Sequence, residues 1–247
     1  MKLGVFDSGV GGLTVARSLQ RSGYFSELLY YGDTARVPYG SKDANTVMRY
    51  ALEAVEFFNG ANVDALVVAC NTVSVVALEI MQQYSNKPVY GVLEPGVLAL
   101  THLPQLDKQA KILVIATRAT IASGEYQRRI QELGFNQVEA LATPLFVPMV
   151  EEELFDGPII QETFKHYFNQ VSKPDVVLLG CTHFPLLAEP ITAYFNGAQT
   201  IHSGEAMVHW LQQQLQLSVQ FKHTPIQIMA SENVEAVARV AKRWQLT

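Results

Sequence analysis

Short apolar runs alternate with segments of helical period along almost the whole chain. The runs cover Lys2–Asp7, Leu28–Tyr31, Ala65–Ala69, Val89–Leu93, Lys111–Ala116, Val138–Ala142, Val176–Leu179 and Ile226–Met229. Runs that are apolar at nearly every position are typical of strands buried on both faces of a parallel sheet. Helical segments such as residues 43–59, with an apolar stripe through Val47, Ala51 and Ala54, separate these runs. The alternation therefore predicts an α/β fold with right-handed crossovers.

Length and composition exclude several other classes of protein. A chain of 247 residues has room for one large domain or two small ones. Its composition, 49% hydrophobic and 17% charged, excludes a disordered protein. The net charge of −5 and the lack of Lys/Arg clusters argue against a nucleic-acid partner. No apolar stretch reaches the roughly 20 residues that a membrane helix needs, so no membrane partner is expected.

The cysteine content indicates the cellular compartment of the protein. The two cysteines, Cys70 and Cys181, allow neither a disulfide scaffold nor a four-cysteine zinc site. The six histidines show no ligand spacing, so we predict no metal site. Asp7 comes too early for a signal peptide. We therefore expect a cytoplasmic location.

Polar and reactive side chains follow four of the predicted strands at the point where each strand ends. Ligands of parallel α/β sheets bind beyond the carboxyl ends of the strands. The four segments are Asp7-Ser8-Gly9, Cys70-Asn71-Thr72, Thr117-Arg118-Ala119-Thr120 and Cys181-Thr182-His183.

A weak internal repeat relates the two parts of the chain. Ser8, Val37-Pro38 and Cys70 occur in this order in the first part, and Thr117, Val147-Pro148 and Cys181 occur at similar separations in the second. The repeat predicts two related α/β halves, each of which contributes one thiol to a shared site.

Two thiols on opposite sides of a carbon atom suit a reaction that removes a proton from one face and replaces it on the other. Each group serves as acid when the other serves as base. Cysteine is suitable because its ordinary pKa of about 8.5 leaves thiol and thiolate both accessible near neutrality. Asp7 and His183 are candidates to tune Cys70 and Cys181, because a carboxylate and an imidazole can each exchange a proton with a thiol.

Simpler interpretations of the same residues stay open at this point. A cysteine at the end of a buried strand can be an inert core residue, Asp7 can cap the glycine loop that follows it, and His183 can bond within a turn. The loop around Gly9 and Gly11 is similar to a dinucleotide fingerprint, but Thr14 occupies the third glycine position. A Cys–His hydrolase is disfavoured because residues i and i+2 of an extended segment point to opposite faces.

Several longer motifs resemble the bacterial glutamate racemase family, within the aspartate/glutamate racemase superfamily. They extend from residue 4 to about residue 206 in the order and near the spacing of that family. The motifs are Gly4–Thr14, Tyr31–Gly40, Ala69–Thr72, Thr117–Thr120 with Ser123-Gly124-x-Tyr126-Gln127, Leu145–Glu151 and Gly180–Leu187.

The resemblance implies a fold of two pseudo-symmetric, three-layer α/β/α halves with mostly parallel sheets and the active site between them. Residues 1–96 together with 208–247 would form the first half, and residues 97–207 the second. The resemblance is also compatible with a homodimer.

The resemblance also implies an activity: interconversion of L- and D-glutamate without a cofactor, which supplies D-glutamate for peptidoglycan. Cys70 and Cys181 would be the paired acid and base, with Asp7, His183 and Glu151 as helpers. The expected substrate-binding residues are Asp7, Ser8, Tyr39, Gly40, Asn71, Thr72, Thr117, Thr120, Thr182 and His183. Tyr39 and Gly40 would bound the side-chain carboxylate, while the hydroxyls would hold the α-ammonium and α-carboxylate.

Two further functions remain as alternatives. Racemisation of aspartate or another acidic amino acid would use the same chemistry in a pocket of different depth. A protein of a different class, such as a regulatory protein that binds DNA gyrase, could retain this fold, although retention of both cysteines, Asp7 and His183 speaks against it.

Overall fold

The computed structural model describes residues 1–244, which contain two parallel β-sheets. The strands of these residues are β1 Lys2–Asp7, β2 Glu27–Gly32, β3 Ala65–Val68, β4 Val89–Gly91, β5 Lys111–Ala116, β6 Gln137–Ala142, β7 Val176–Gly180, β8 Gln199–His202 and β9 Ile226–Ala230. The first sheet has the order β4-β3-β1-β2-β9, and the second has the order β6-β5-β7-β8. All neighbouring strands pair in parallel.

Helices connect the strands and cover the sheets. The α-helices of the described residues are α1 Leu13–Arg21, α2 Ala44–Gly60, α3 Asn71–Val76, α4 Leu78–Tyr84, α5 Leu93–Leu98, α6 Arg118–Ala122, α7 Glu125–Glu132, α8 Phe146–Glu151, α9 Gly157–Phe168, α10 Ala188–Tyr194, α11 Ser203–Leu215 and α12 Val234–Arg243. Three 3₁₀ helices cover Tyr39–Ser41, Ala99–His102 and Phe184–Leu187.

The longest helix shows how the sequence fixes an element. The Asp43 carboxylate accepts a hydrogen bond from the Thr46 N–H at 3.0 Å and so begins α2. Val47, Ala51 and Phe58 lie on one face of α2 and are buried. The stripe predicted from the sequence is therefore the face that packs on the sheet.

Both faces of each sheet are buried, which explains the continuous apolar runs. In the first sheet Val5 and Val67 belong to one core cluster, while Phe6 and Val68, their neighbours along the strands, belong to another. Side chains of successive strand residues point to opposite faces, so the two clusters lie on opposite sides of the sheet. The second sheet is likewise covered by two clusters. Each half therefore has three layers.

The strand order confirms the predicted pair of related halves. The order β4-β3-β1-β2 in the first sheet corresponds to β8-β7-β5-β6 in the second, with β1 matching β5 and β3 matching β7. β9 comes from the C-terminal part of the chain and extends the first sheet beside β2. The fold class is thus confirmed. The exact boundaries at residues 96/97 and 207/208 fall within α5 and α11 and stay a prediction.

Two local expectations were wrong. The run Val89–Leu93 was expected to be a strand throughout, but β4 ends at Gly91 and Leu93 begins α5. β8 was not predicted, because only Ile201 of its four residues is buried and the segment carries little apolar signal. Among residues 1–244, no helix combines the length and apolar character that crossing a membrane requires.

Candidate active site

The carboxyl ends of four central strands bring the polar segments of both halves to one cavity. Ser8 follows β1, Cys70 follows β3, Thr117 follows β5 and Cys181 follows β7. The cavity is lined by Ser8, Val37, Pro38, Tyr39, Gly40, Cys70, Asn71, Thr72, Thr117, Val147, Gly180, Cys181, Thr182 and His183. Both thiols therefore face a shared space.

Three expected site residues, Asp7, Thr120 and Glu151, lie outside the cavity wall. Each contacts a residue that does line it. Asp7 is fully buried and accepts a hydrogen bond from Thr182 at 3.3 Å. Thr120 bonds to Thr72, and Glu151 bonds to His183. These three residues are placed to act through their neighbours.

Cys70 is buried and lies near a carboxylate. Its Sγ is 3.7 Å from the Ser8 hydroxyl, and 5% of the residue is exposed. Burial, and after it the negative charge of Asp7, raises the pKa of the Cys70 thiol to about 12. The pKa of Asp7 is itself raised by burial, although the Gly9 N–H donates to its carboxylate at 2.9 Å. Cys70 is therefore a protonated thiol near neutral pH.

Cys181 has a proton acceptor beside it. Its Sγ lies 3.8 Å from Nδ1 of His183, and Nε2 of His183 lies 3.1 Å from a Glu151 carboxylate oxygen. Burial lowers the pKa of His183, but the hydrogen bonds to Cys181 and Glu151 outweigh it, so that the pKa is raised overall. The imidazole can take the Cys181 proton and leave a thiolate–imidazolium pair.

The closeness of Cys181 and His183 corrects one step of the sequence reasoning. An extended segment would point these side chains to opposite faces, but residue 183 has helical dihedral angles (φ −77°, ψ −30°) and precedes the 3₁₀ helix Phe184–Leu187. The chain turns directly after β7, and this turn brings the ring back toward the sulfur.

Three threonine hydroxyls from both halves form a triangle beside the cavity. Thr72 lies 3.0 Å from Thr117 and 3.1 Å from Thr120, and Thr117 lies 3.0 Å from Thr120. Thr117 also begins α6, where its hydroxyl accepts from the Thr120 N–H. Such hydroxyls can donate to an anion at the cavity wall without competing for a proton with a thiolate.

The two halves also contact each other where α1 begins. The Thr14 hydroxyl lies within hydrogen-bond distance of the Thr182 carbonyl at 2.8 Å and of the Gly11 carbonyl at 2.9 Å. A Cβ atom on Gly11 would lie 2.4 Å from both His183 Nδ1 and Thr182 Oγ1. A larger residue does not fit at position 11 without moving His183.

We expect Gly11→Ala to lower kcat/KM at least about tenfold, because the methyl group displaces His183, the proton acceptor, from Cys181. Gly60→Ala is the matched control, since a Cβ at Gly60 meets no atom within 4 Å. Steady-state rates of both variants test this. Unchanged kinetics in Gly11→Ala would show that the contact with His183 is not needed.

Sequence reasoning missed the apolar part of the cavity wall. Val37, Pro38 and Val147 line the cavity, whereas both Val-Pro pairs enter the sequence-based predictions only in the internal repeat and in the motifs of the resemblance, with no place assigned in the site. Their recurrence between a hydroxyl and a cysteine in each half was the signal that could have placed them at the site.

No metal cluster accompanies these residues. Within residues 1–244, no group of three or more His, Cys, Asp or Glu side chains could hold a metal ion.

Comparisons with known proteins identify the class. A sequence model of the Asp/Glu/Hydantoin racemase family matches residues 14–211, so the chain belongs to this family of racemases. A glutamate racemase of a Nitratiruptor species is 53% identical over 99% of this chain and 96% of its own length. More particularly, then, the chain resembles the glutamate racemases over its full length, and it is an isomerase that acts on amino acids.

Solved structures agree with the sequence relationship. The crystal structure of glutamate racemase from Campylobacter jejuni subsp. jejuni has a TM-score of 0.96 and 46% identity, covering 99% of this chain and 98% of that one. Glutamate racemase from Francisella tularensis, solved in complex with D-glutamate, has a TM-score of 0.87 and 30% identity, covering 100% and 94%.

Proposed function

We propose that the protein interconverts L- and D-glutamate by a two-base mechanism in which Cys70 and Cys181 are the acid and the base. One observation carries the proposal: equivalent strands of two related halves, β3 and β7, each end at a thiol, and both thiols line one cavity. The choice of glutamate is supported by the full-length relatives and by the D-glutamate complex of the Francisella tularensis enzyme.

Cys70 and Cys181 have different neighbours, and these neighbours determine which of the two thiols is protonated when the reaction begins. His183 accepts the proton of Cys181, so Cys181 begins as the base, and Cys70 begins as the acid because burial and Asp7 keep it protonated. The Cys181 thiolate takes the Cα proton, and the electron pair of the C–H bond passes to Cα and its carboxylate. Cys70 then gives its proton to the other face of Cα and becomes the thiolate. The reverse reaction exchanges the two roles.

The polar wall is suited to an amino acid with two carboxylates. We assign Ser8, Asn71, Thr72, Thr117 and Thr182 to the α-ammonium and α-carboxylate. Thr120 supports this set through its bonds to Thr72 and Thr117. Donors at the α-carboxylate stabilise the charge that develops as the Cα proton leaves.

The segment Tyr39–Ser41 is assigned to the side-chain carboxylate. Asp33 holds it in place, because its buried carboxylate accepts hydrogen bonds from the Tyr39 hydroxyl and from Arg36 Nε. Gly40 approaches Thr117 so closely that a Cβ would lie 2.4 Å from the Thr117 Cβ. Backbone donors of this segment are thus brought to the cavity.

The size of the cavity adds a requirement for motion. Its volume is about 20 Å³, while one water molecule already needs roughly 10–15 Å³. An amino acid is larger than this space, so the cavity must widen before glutamate enters, and it encloses the substrate when it narrows again. Exclusion of water then strengthens the electrostatic contacts and protects the carbanion.

We further propose that the D-glutamate serves peptidoglycan synthesis in the cytoplasm. The family resemblance of the motifs around both cysteines supports this role. No cofactor enters the proposed steps, because each proton is moved by a side chain of the chain itself.

Turnover in D₂O tests the mechanism. With L-glutamate, a chelator and no added cofactor, the D-glutamate formed early should carry deuterium at Cα, while the remaining L-glutamate keeps its α-proton. The reason is that the proton comes off onto one sulfur and the new one arrives from the other, which has exchanged with solvent. Chiral chromatography with mass spectrometry measures both enantiomers.

Two other outcomes would count against the proposal. D-Glutamate that retains the substrate's own proton would indicate a single base. Turnover of L-aspartate without turnover of L-glutamate would reassign the substrate.

A further inference from the structure

In the described residues, the oxygen of the Asn71 side-chain amide has hydrogen-bond partners but its nitrogen has none. Asn71 follows Cys70, lines the cavity and is 2% exposed. Its Oδ1 accepts hydrogen bonds from the Tyr126 hydroxyl at 2.5 Å and from the Ser203 hydroxyl at 3.2 Å. Its Nδ2 has no hydrogen-bond partner within residues 1–244. Because buried polar groups are rarely left unpaired, this NH₂ is a donor available to a ligand.

The two hydroxyls come from distant parts of the chain. Tyr126 lies in α7 with its ring fully buried among core residues such as Val114 and Ile130, and Ser203 begins α11. Burial raises the pKa of the Tyr126 phenol, so the phenol keeps its proton at any working pH. Tyr126 belongs to the motif Ser123-Gly124-x-Tyr126-Gln127, and the proposed function gives neither Tyr126 nor Ser203 a task.

We propose that Tyr126 and Ser203 are positioning residues that turn the Asn71 amide so that its NH₂ faces the cavity and donates to a carboxylate of the substrate. The inference rests on the proposed function, since it takes the substrate to be an acidic amino acid. An asparagine amide can rotate by half a turn and exchange its donor for its acceptor. Two hydroxyl donors directed at Oδ1 select one of these orientations.

The selected orientation favours an anionic ligand. An NH₂ group pairs with a carboxylate oxygen, whereas the rotated amide would place its own oxygen against that carboxylate. A hydrogen bond to a charged group is stronger than one between neutral groups, and leaving its buried partner unpaired adds a further penalty. The α-carboxylate is present in the bound substrate and gains negative charge as the Cα proton leaves, so loss of the orientation weakens binding and also destabilises the transition state.

The double variant Tyr126→Phe/Ser203→Ala is the first test. It removes both donors and keeps the shape of the buried ring. We expect KM for glutamate to rise and kcat to fall, so that kcat/KM decreases at least about tenfold. Tyr194→Phe is the matched control, because this ring of the same half packs on Phe164 in a different core cluster. A fall in the melting temperature with unchanged KM would overturn the proposal in favour of a purely structural role.

Asn71→Asp gives a second, independent answer. Aspartate still accepts from Tyr126 and Ser203 but places an oxygen where the NH₂ had been. We expect KM to rise further than in the double variant, because two carboxylates then face each other. If KM is unchanged, the acceptor faced the cavity from the start and the proposal is wrong. Should the double variant fail to fold, this variant decides the question.

The wild-type protein separates this inference from the proposed function. Absence of glutamate racemisation in the wild type would refute the function. Normal wild-type racemisation together with wild-type KM in the folded variants would refute only the positioning role.

Discussion

Cys70→Ala and Cys181→Ala should each lower the rate of glutamate racemisation by about a thousandfold or more, which is within the range for removal of a general acid or base. Alanine can neither take nor give a proton. In Cys181→Ala no thiolate removes the Cα proton. In Cys70→Ala no thiol donates a proton to the other face of the carbanion. Each variant therefore blocks the reaction even though one thiol remains.

The loss should be equal in the two directions. L- and D-glutamate have the same free energy in solution, so the equilibrium constant is one. The values of kcat/KM for the two enantiomers must then stay equal in every variant, whichever cysteine is replaced. Rates started from each pure enantiomer, followed by circular dichroism at the α-carboxylate band, check this relation.

Thr143→Ala is the control for both cysteine variants. Thr143 is buried and follows β6, just as Cys70 and Cys181 are buried within two residues of the ends of β3 and β7, but Thr143 does not line the cavity. Its replacement tests the general effect of trimming a strand end, and activity should persist. Full activity in either cysteine variant, with the fold intact by melting temperature, would exclude the two-base mechanism.

Sequence could predict the central strands because their burial is complete. β1, β3, β5 and β7 are apolar at almost every position, since helices cover both faces of each sheet. The edge strand β8 has one buried residue and no comparable signal. Burial of both faces, rather than strand propensity, is thus what made the fold predictable.

The site residues that follow a strand could be predicted from the sequence. The residues of other elements that contact them could not. Cys70 and Cys181 could be placed at one edge because parallel strands end together. The contact of Tyr126 with Asn71 joins residues from different halves, and it depends on how helices pack rather than on any local pattern. The turn that brings His183 to Cys181 depends likewise on the dihedral angles of one residue.

His183→Asn should produce the second large loss, and this loss should depend on pH. Asparagine fills similar space but cannot accept a proton from Cys181. No neighbouring base then takes the proton of the Cys181 thiol, so the proton must pass to solvent before the thiolate can act. The imidazole is also lost as a proton carrier, and the expected decrease at pH 7 is about a hundredfold or more.

The pH profile distinguishes a proton acceptor from a space-filling residue. In the wild type the raised pKa of His183 keeps the imidazolium beside the Cys181 sulfur at and above neutral pH, and this pair is lost only as the pH rises through that raised pKa. In His183→Asn no imidazolium stabilises the thiolate, so the rising limb of the profile moves to higher pH. A profile of unchanged shape, only lower in height, would contradict the role of proton acceptor.

Glu151→Gln is the matched control for His183→Asn. It weakens the contact with Nε2 of His183, but the imidazole remains beside Cys181. The Glu151 side chain is 38% exposed, so solvent already screens its charge and its removal matters less. We expect less than about a tenfold decrease in rate and a small move of the rising limb toward the His183→Asn position. The graded response of the two variants follows from a chain of contacts in which Glu151 acts on His183 and His183 acts on the thiol.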